Sequence, residues 1–464
     1  MLSSLQELLT RLDHAGELHR IDAPVSCQRE LAAITRAVSA APRGGTALLF
    51  QRPDGFTLPV ATNLYGSRRR MSLALTLDHP DDLRERFVAL LSPHGQLTSQ
   101  GLQHLLAQHP ELLLHAPIPV NHGPCHALRP VGDDLLQLPV PHNWPEDGSS
   151  AGSGRYLTLG QIHTVDPQGG TPNCGIYRCQ IHDAHTLAIR WRPGSGAAQH
   201  YRQHCERGLP MPVAISLGGP PALTLAAAWP LPEGLDETLF AGWLRGGAIP
   251  LVACSHGPLA VPAEAELVIE GFAEPDQSLP EGPFGNHTGL YDPAGPAARV
   301  TVTRISYRPN AVLPATVVGP PPQEDCWMML AWERLLAALL PRLVPGVRDI
   351  RIPLPWVFRQ SAVISLENHS PRMVRETVRA LWELPWFRKA RLLVLVDAAE
   401  GPTQMLRAAW RVVNDTDWLD GLIHDEAGGR LAVDATCRHP LSDRLCDPEM
   451  DQLISNRWKE YGLP

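Results

Sequence analysis

The stretch Glu281-Gly282-Pro283-Phe284-Gly285-Asn286-His287-Thr288-Gly289 constrains this chain more than any other. It is too rich in glycine and proline for a helix or an uninterrupted strand, and those residues fix a sharp backbone path. One carboxylate, one amide and one imidazole are therefore presented by a rigid loop. A site that gives or takes a proton at a fixed point needs an acid held this way. The same residues also fit a hairpin loop with a solvated Glu. A second stretch, Thr171-Pro172-Asn173-Cys174-Gly175-Ile176-Tyr177-Arg178, likewise mixes turn formers with chemistry-bearing side chains.

At 464 residues the chain has room for about three domains of roughly 150 residues each. A hydrophobic fraction of 44% permits a large core. The net charge of −8 is dispersed, which argues against nucleic acid and anionic membranes as partners. No apolar run reaches the roughly 18 residues of a membrane span. The N-terminus lacks the basic start and apolar block of a signal peptide. Nine cysteines are scattered without a C-x-x-C pair, so they read as reduced thiols of a cytoplasmic protein.

Residues 1–117 read as an α/β domain. Ser4 and Glu7 make a capping-box pattern, and Leu5, Leu8, Leu9 and Leu12 follow at helical spacing up to Gly16. Strands are expected over 18–21 and 47–50, and helices over 31–38, 83–91 and 102–114. Arg68-Arg69-Arg70 reads as a solvated loop, with an anion contact as the alternative. Residues 118–320 are different in texture: prolines recur, and short strands are expected over 156–165, 186–191, 213–217, 249–253 and 300–307, with a helix over 236–244. Many short strands with few helices suggest a barrel or curled sheet. In residues 321–464 strand and helix alternate, as in an α/β layer. Helices are expected over 328–340, 371–382 and 405–413, and strands over 361–366, 392–396 and 431–433.

Phosphate-loop, dinucleotide-binding and nucleophile-elbow motifs are absent. His182 and His185 lack a third ligand at a zinc spacing. Asn173 and Glu237 are oxygen donors suited to a hard cation such as Mg²⁺ or Mn²⁺, if the fold brings them together. Arg178, after apolar Ile176 and aromatic Tyr177, reads either as a buried carboxylate clamp or as a strand residue facing solvent.

Several ordered segments resemble the UbiD family of reversible, prenylated-FMN-dependent decarboxylases. They are Asn173-Cys-Gly-Ile-Tyr-Arg178, Ile189-Arg190-Trp191, Leu235-Asp236-Glu237, Glu281-Gly-Pro-Phe-Gly285 and Val433-Asp434-Ala435-Thr436. The likeness extends to Gly16-Glu17-Leu18, Gly44-Gly45-Thr46, Asn63-Leu64-Tyr65-Gly66, Trp144-Pro145-Glu146-Asp147 and Gly319-Pro320-Pro321-Pro322, so it spans nearly the whole chain. It implies an N-terminal α/β domain, a central split β-barrel of flavin-reductase type, and a C-terminal α/β domain used in dimerisation, giving a homodimer or homohexamer. It implies prenylated FMN supplied by a flavin prenyltransferase, a divalent ion such as Mn²⁺ held by Asn173 and Glu237, and K⁺ as an additional ion. Ile176, Tyr177, Arg178, Arg190, Trp191, Arg192 and a turn at Ser195-Gly196 would line the cofactor. Arg178 and Glu281 would form the catalytic ion pair, with position 286 as proton donor.

Two departures stand out. Pro193-Gly194-Ser195-Gly196 replaces a His- and Arg-containing stretch, which removes a phosphate contact or metal ligand, with His200 as a stand-in. Asn286 replaces the usual Asp or Glu, and an amide gives up no proton near neutral pH. Glu281, His287 or a water held by Asn286 is then left to carry the proton, and Asn286 itself suits substrate recognition. The reading that results is decarboxylation of a hydroxybenzoate, including the prenylated type used in ubiquinone biosynthesis, or of a heteroaromatic acid. A carboxylase, an oxidoreductase using ordinary FMN and a non-catalytic subunit of a larger assembly are the alternatives.

Overall fold

The computed structural model of the chain describes all residues except 80, 92–99, 101–105, 107–108, 233, 368–369, 399–404, 426–427, 437–447 and 463–464. The helix expected over 102–114 lies largely outside them, and its described part is the short helix Pro110–Leu113. The architecture is mixed α/β around one large curled sheet.

At the N-terminus the Ser4 hydroxyl accepts the Glu7 N–H at 3.2 Å and starts the helix Leu5–His14, which buries Leu5, Leu8, Leu9 and Leu12. The strands Leu18–Ile21, Ala47–Phe50 and Val60–Thr62 form a sheet whose fourth strand, Leu313–Pro314, comes from much later in the chain. The Arg68-Arg69-Arg70 segment is not a loop. It opens the helix Arg68–Leu75, capped by Ser67, and Arg70 is fully buried.

The curled sheet has eight strands in the order Tyr156–Leu157, Cys179–Asp183, Thr186–Ile189, Gly295–Tyr307, Ala265–Glu281, Met211–Gly218, Gly160–Thr164 and Asn173–Ile176. Every neighbouring pair is antiparallel. The expected single strand over 156–165 is broken at Thr158-Leu159. Opposite that break the chain is also irregular, at Tyr177-Arg178. Leu157 faces Cys179 on one side of the break, and Gln161 faces Ile176 on the other. One long hairpin is thus kinked in the middle, and its two halves lead to the two ends of the same sheet. That kink brings the sheet's ends together, and Arg178 sits in the seam. Alternate residues of the strands (Leu187 and Ile189, Val213, Ile215 and Leu217, Leu267 and Ile269, Val300 and Val302) fill one apolar interior.

The helix Glu324–Leu343 runs on to a five-stranded sheet ordered Val347–Arg351, Ala362–Leu366, Leu392–Asp397, Leu431–Asp434 and Leu422–His424, with its three middle strands parallel. Ser370 caps the helix Pro371–Glu383, which buries Val374, Val378, Leu381 and Trp382. Beyond it, Leu406, Trp410, Val413, Trp418 and Leu419 stand exposed on and just after the helix Met405–Asp415. None of the described helices is long and apolar enough to cross a membrane.

Candidate active site

The long strand Ala265–Glu281 ends at Glu281, whose side chain is fully buried. Gly282, at φ +96°, then turns the chain in a conformation that side chains disfavour. The loop that follows is tied to the segment after Trp144. Gly282 N–H donates to Gln180 at 3.0 Å, Gly148 N–H donates to the Pro283 carbonyl at 2.8 Å, and Gly285 N–H donates to Asp147 at 2.7 Å. Asp147 also accepts the Trp144 N–H at 3.1 Å, and burial pushes its carboxyl up to about 6. A Cβ at Gly285 would lie 2.4 Å from the Trp144 ring, so only glycine fits. Phe284–Gly285 next pairs with Tyr291–Asp292 as a small hairpin, with Phe284 opposite Asp292. Asn286 shapes its turn by accepting the Thr288 N–H at 2.8 Å and the Thr288 hydroxyl at 2.7 Å. The loop is therefore a hairpin, but its Glu is not solvated.

Three elements meet at Glu281. Arg178, from the seam, donates from Nε to one Glu281 oxygen at 2.8 Å and from Nη2 to the other at 3.1 Å. Its third donor, Nη1, reaches Asp292 at 2.6 Å. Burial works against the Arg178 charge, but the bonds to Glu281 and then Asp292 outweigh it and raise its pKa above the usual guanidinium value. The ring of Phe284 lies under the guanidinium, 4.6 Å from its carbon. Arg190 places Nε 2.8 Å from the second Glu281 oxygen, although that N–H is not aimed at it, and Nη2 donates to the Glu281 carbonyl at 2.8 Å. Asn286 donates its amide to the other Asp292 oxygen at 2.7 Å. Of the sequence-derived readings of Arg178, the structure shows the carboxylate clamp. Asp292 belongs to none of the sequence motifs above. It enters the site only through the register of the hairpin, for which the alternation between Phe284 and Asp292 around a Thr-Gly turn is the available signal. His287, further round the turn, stacks on Phe358 with ring centroids 4.1 Å apart.

A second cluster lies on the strand that leads into Arg178. Glu237 accepts the Cys174 N–H at 2.9 Å, so the fold places Glu237 beside Asn173. Burial raises the Glu237 carboxyl to about 7. Asn173 Nδ2 and Trp191 Nε1 are buried with no hydrogen-bond partner among the described residues. These orphaned atoms and the two oxygen donors fit a hard cation bound together with an anionic group that completes its shell. No group of three or more His, Cys, Asp or Glu side chains suited to a metal ion occurs among the described residues.

In the departure at 193–196, a Cβ at Gly196 would lie 2.3 Å from Asn173 Oδ1, so glycine there lets the chain pass close to Asn173, whereas Gly194 has open space around it. Ser195 closes a turn, its N–H donating to the Arg192 carbonyl at 3.0 Å, and also caps the helix Gly196–Cys205 by accepting the Ala198 N–H at 3.3 Å. His200, one turn on, bonds the hydroxyl of Thr164 at 3.0 Å, and Thr164 faces Asn173 across the strands. Around this helix Trp191 meets Tyr177 edge-on at 5.5 Å and Tyr201 at 6.2 Å, and Arg190 and Trp191 border a cavity of about 310 Å³. Ile176 packs against the main apolar core, while Arg192 is exposed.

Solved structures define the class. The UbiD-class enzyme HmfF of Pelotomaculum thermopropionicum, in an evolved dimeric form bound to prFMN, superposes with a TM-score of 0.80 and 25% identity over 97% of this chain and 98% of that one. The vanillic acid decarboxylase of Sedimentibacter hydroxybenzoicus, in its closed form, shares the fold with a TM-score of 0.81 at 22% identity over 99% of each chain. Family descriptions of 3-octaprenyl-4-hydroxybenzoate carboxy-lyase match in three parts: the N-terminal domain over residues 9–90, the Rift-related domain over 118–321 and the C-terminal domain over 326–442. An uncharacterised protein of Aquifex aeolicus is 34% identical over 483 residues, covering 99% of this chain and 98% of that one. Another, from Archaeoglobus fulgidus, is 32% identical over 449 residues, covering 93% and 91%. This chain belongs to the UbiD family and is a decarboxylase.

Proposed function

We propose that this chain catalyses the reversible, non-oxidative decarboxylation of a small aromatic or heteroaromatic acid, with hydroxybenzoates the first class to test. The observation that carries this reading is Arg178, shared between a buried carboxylate and a half-open one at the barrel seam. Prenylated FMN, when bound, supplies an electron sink for the pair left behind by departing CO₂. Asn173 and Glu237 would hold its divalent cation, Mn²⁺ or a similar ion, and the N-terminus of the helix Gly196–Cys205 offers backbone N–H groups to its phosphate. Arg178 orients the substrate carboxylate with the donor geometry that suits one, and Glu281 with Arg190 fixes the guanidinium in place. The exposed apolar face around Leu406, Trp410 and Leu419 is the surface we assign to a second copy of the chain, in a homodimer or homohexamer.

The test is to co-express the chain with a flavin prenyltransferase and screen a panel of aromatic acids for CO₂ release. Prenylated-flavin absorbance with turnover of at least one acid supports the proposal. Plain FMN with NAD(P)H turnover, or no flavin and no turnover, overturns it. Glu237→Ala is expected to lose the flavin while the fold survives, because a hard-cation site loses one of its two protein oxygens. Full flavin occupancy in that variant, or in protein stripped of divalent ions, removes the metal from the proposal.

A further inference from the structure

We infer that Asp292 delivers the proton in this chain, at the position where Asn286 has none to give. The inference rests on the decarboxylase reading of the site and names the acid that reading lacks.

Glu281 is badly placed for the task. Its side chain is fully buried, Arg178 takes both of its oxygens, and Arg190 lies against one of them. A proton on Glu281 would break the clamp that holds Arg178. Asp292 differs on each count. Its side chain is 42% exposed, so water recharges it. One of its oxygens accepts a single N–H of Arg178 at 2.6 Å and the other accepts the Asn286 amide at 2.7 Å, which leaves lone pairs open on both. Both carboxylates share one guanidinium, so a substrate carboxylate docked on Arg178 lies beside Asp292. The other charged and titratable groups of this cluster are Arg178, Arg190, Glu281, the buried Asp147 and Tyr156; Asp147 is tied down by the Gly285 and Trp144 N–H groups.

Asn286 then has a defined part. Its Oδ1 is spent on Thr288 and its Nδ2 points at Asp292, so the amide fixes the carboxyl of its hairpin neighbour. The step balances simply. The C–C bond to the leaving CO₂ breaks, and its electron pair ends in the C–H bond that replaces it. The Asp292 O–H proton forms the new C–H bond, and solvent returns a proton to the carboxylate.

An acid that must be protonated beside a docked carboxylate takes up its proton when that anion binds. The experiment compares flavin-loaded wild type and Asp292→Asn in two readouts. The first is proton uptake on binding benzoate, measured by calorimetry in buffers of different ionisation enthalpy. The second is kcat on whichever panel acid the wild type turns over. The wild type is expected to take up about one proton per benzoate bound, and Asp292→Asn close to none. Turnover is expected to fall by about 10²–10⁴ with flavin absorbance retained. Uptake unchanged in Asp292→Asn overturns the inference even if the rate falls, because the residue is then only structural. A rate within about threefold of wild type overturns it as well. A wild type that shows Asp292-dependent uptake but turns over no acid sustains the proton site and instead refutes decarboxylation.

Discussion

Arg178→Ala and Glu281→Gln are each expected to lower kcat by about 10²–10³, and the double variant is expected to be little slower than either one. The two side chains are one unit. Arg178 spends Nε and Nη2 on the two Glu281 oxygens, and only Nη1 extends to Asp292. Without Glu281's charge the guanidinium keeps its place under weaker restraint, and a substrate carboxylate is no longer presented in one orientation. Without Arg178, the carboxylate of Glu281 is left fully buried with Arg190 alone. Removing one partner of a buried pair costs about 3–5 kcal/mol, so Arg178→Ala is also expected to melt earlier than Glu281→Gln, which keeps the shape of the site. The measurements are kcat for the three variants, with flavin absorbance and circular dichroism as controls for cofactor and fold. Effects that multiply to about 10⁴–10⁶ in the double variant would show that the residues act independently.

The site was legible where glycine and proline fixed the backbone, and illegible where pairing register did the work. Glu281, Arg178, Asn173 and Glu237 are each marked by a turn or a cap in the sequence, and the structure gathers them into two neighbouring clusters joined by the strand Asn173–Ile176. Asp292 carries no such mark, because only the antiparallel pairing of Phe284 with Asp292 delivers it. The helix Gly196–Cys205 escaped for another reason: its residues are mostly polar, and only Ala197 and His204 are buried, so no apolar stripe announces it. The long strand Ala265–Glu281 escaped because its charges look like a solvated loop, yet Glu266 and Glu270 are buried. Its irregularity is real all the same, since the register shifts between Ala273 and Ser278 and Asp276 has φ +55°. The helices Leu5–His14 and Pro371–Glu383 lie at the other extreme, where a cap residue and a 3.6-residue apolar stripe are both written in the chain.

Three N-terminal segments that resemble the family lie outside the candidate active site; they converge on one buried charge, Arg70. Arg70 Nη1 bonds Glu17 at 3.0 Å and the Gly45 carbonyl at 2.5 Å, and Nη2 bonds the Gly44 carbonyl at 2.9 Å. Asn63 donates to the Gly44 and Thr46 carbonyls at 2.9 Å and 2.8 Å. A Cβ at Gly44 would strike the Gly66 carbonyl, 1.8 Å away, so these backbones touch only because both are glycine-lined. Burial pushes the Arg70 pKa down, and Glu17 is the group that chiefly holds its proton on. Glu17→Ala is therefore expected to cost about 3–5 kcal/mol, the largest stability loss expected of any single change outside the site. Arg70→Met in the same background removes the unpaired charge and is expected to regain part of that loss, although the Gly45 carbonyl then lacks its donor. Thermal melting of the three proteins is the measurement. Because the cluster is structural, Glu17→Ala is expected to keep its flavin at temperatures below its transition. Flavin lost from protein that is still folded, with no shift in melting, would instead mean that Arg70 serves a bound anion.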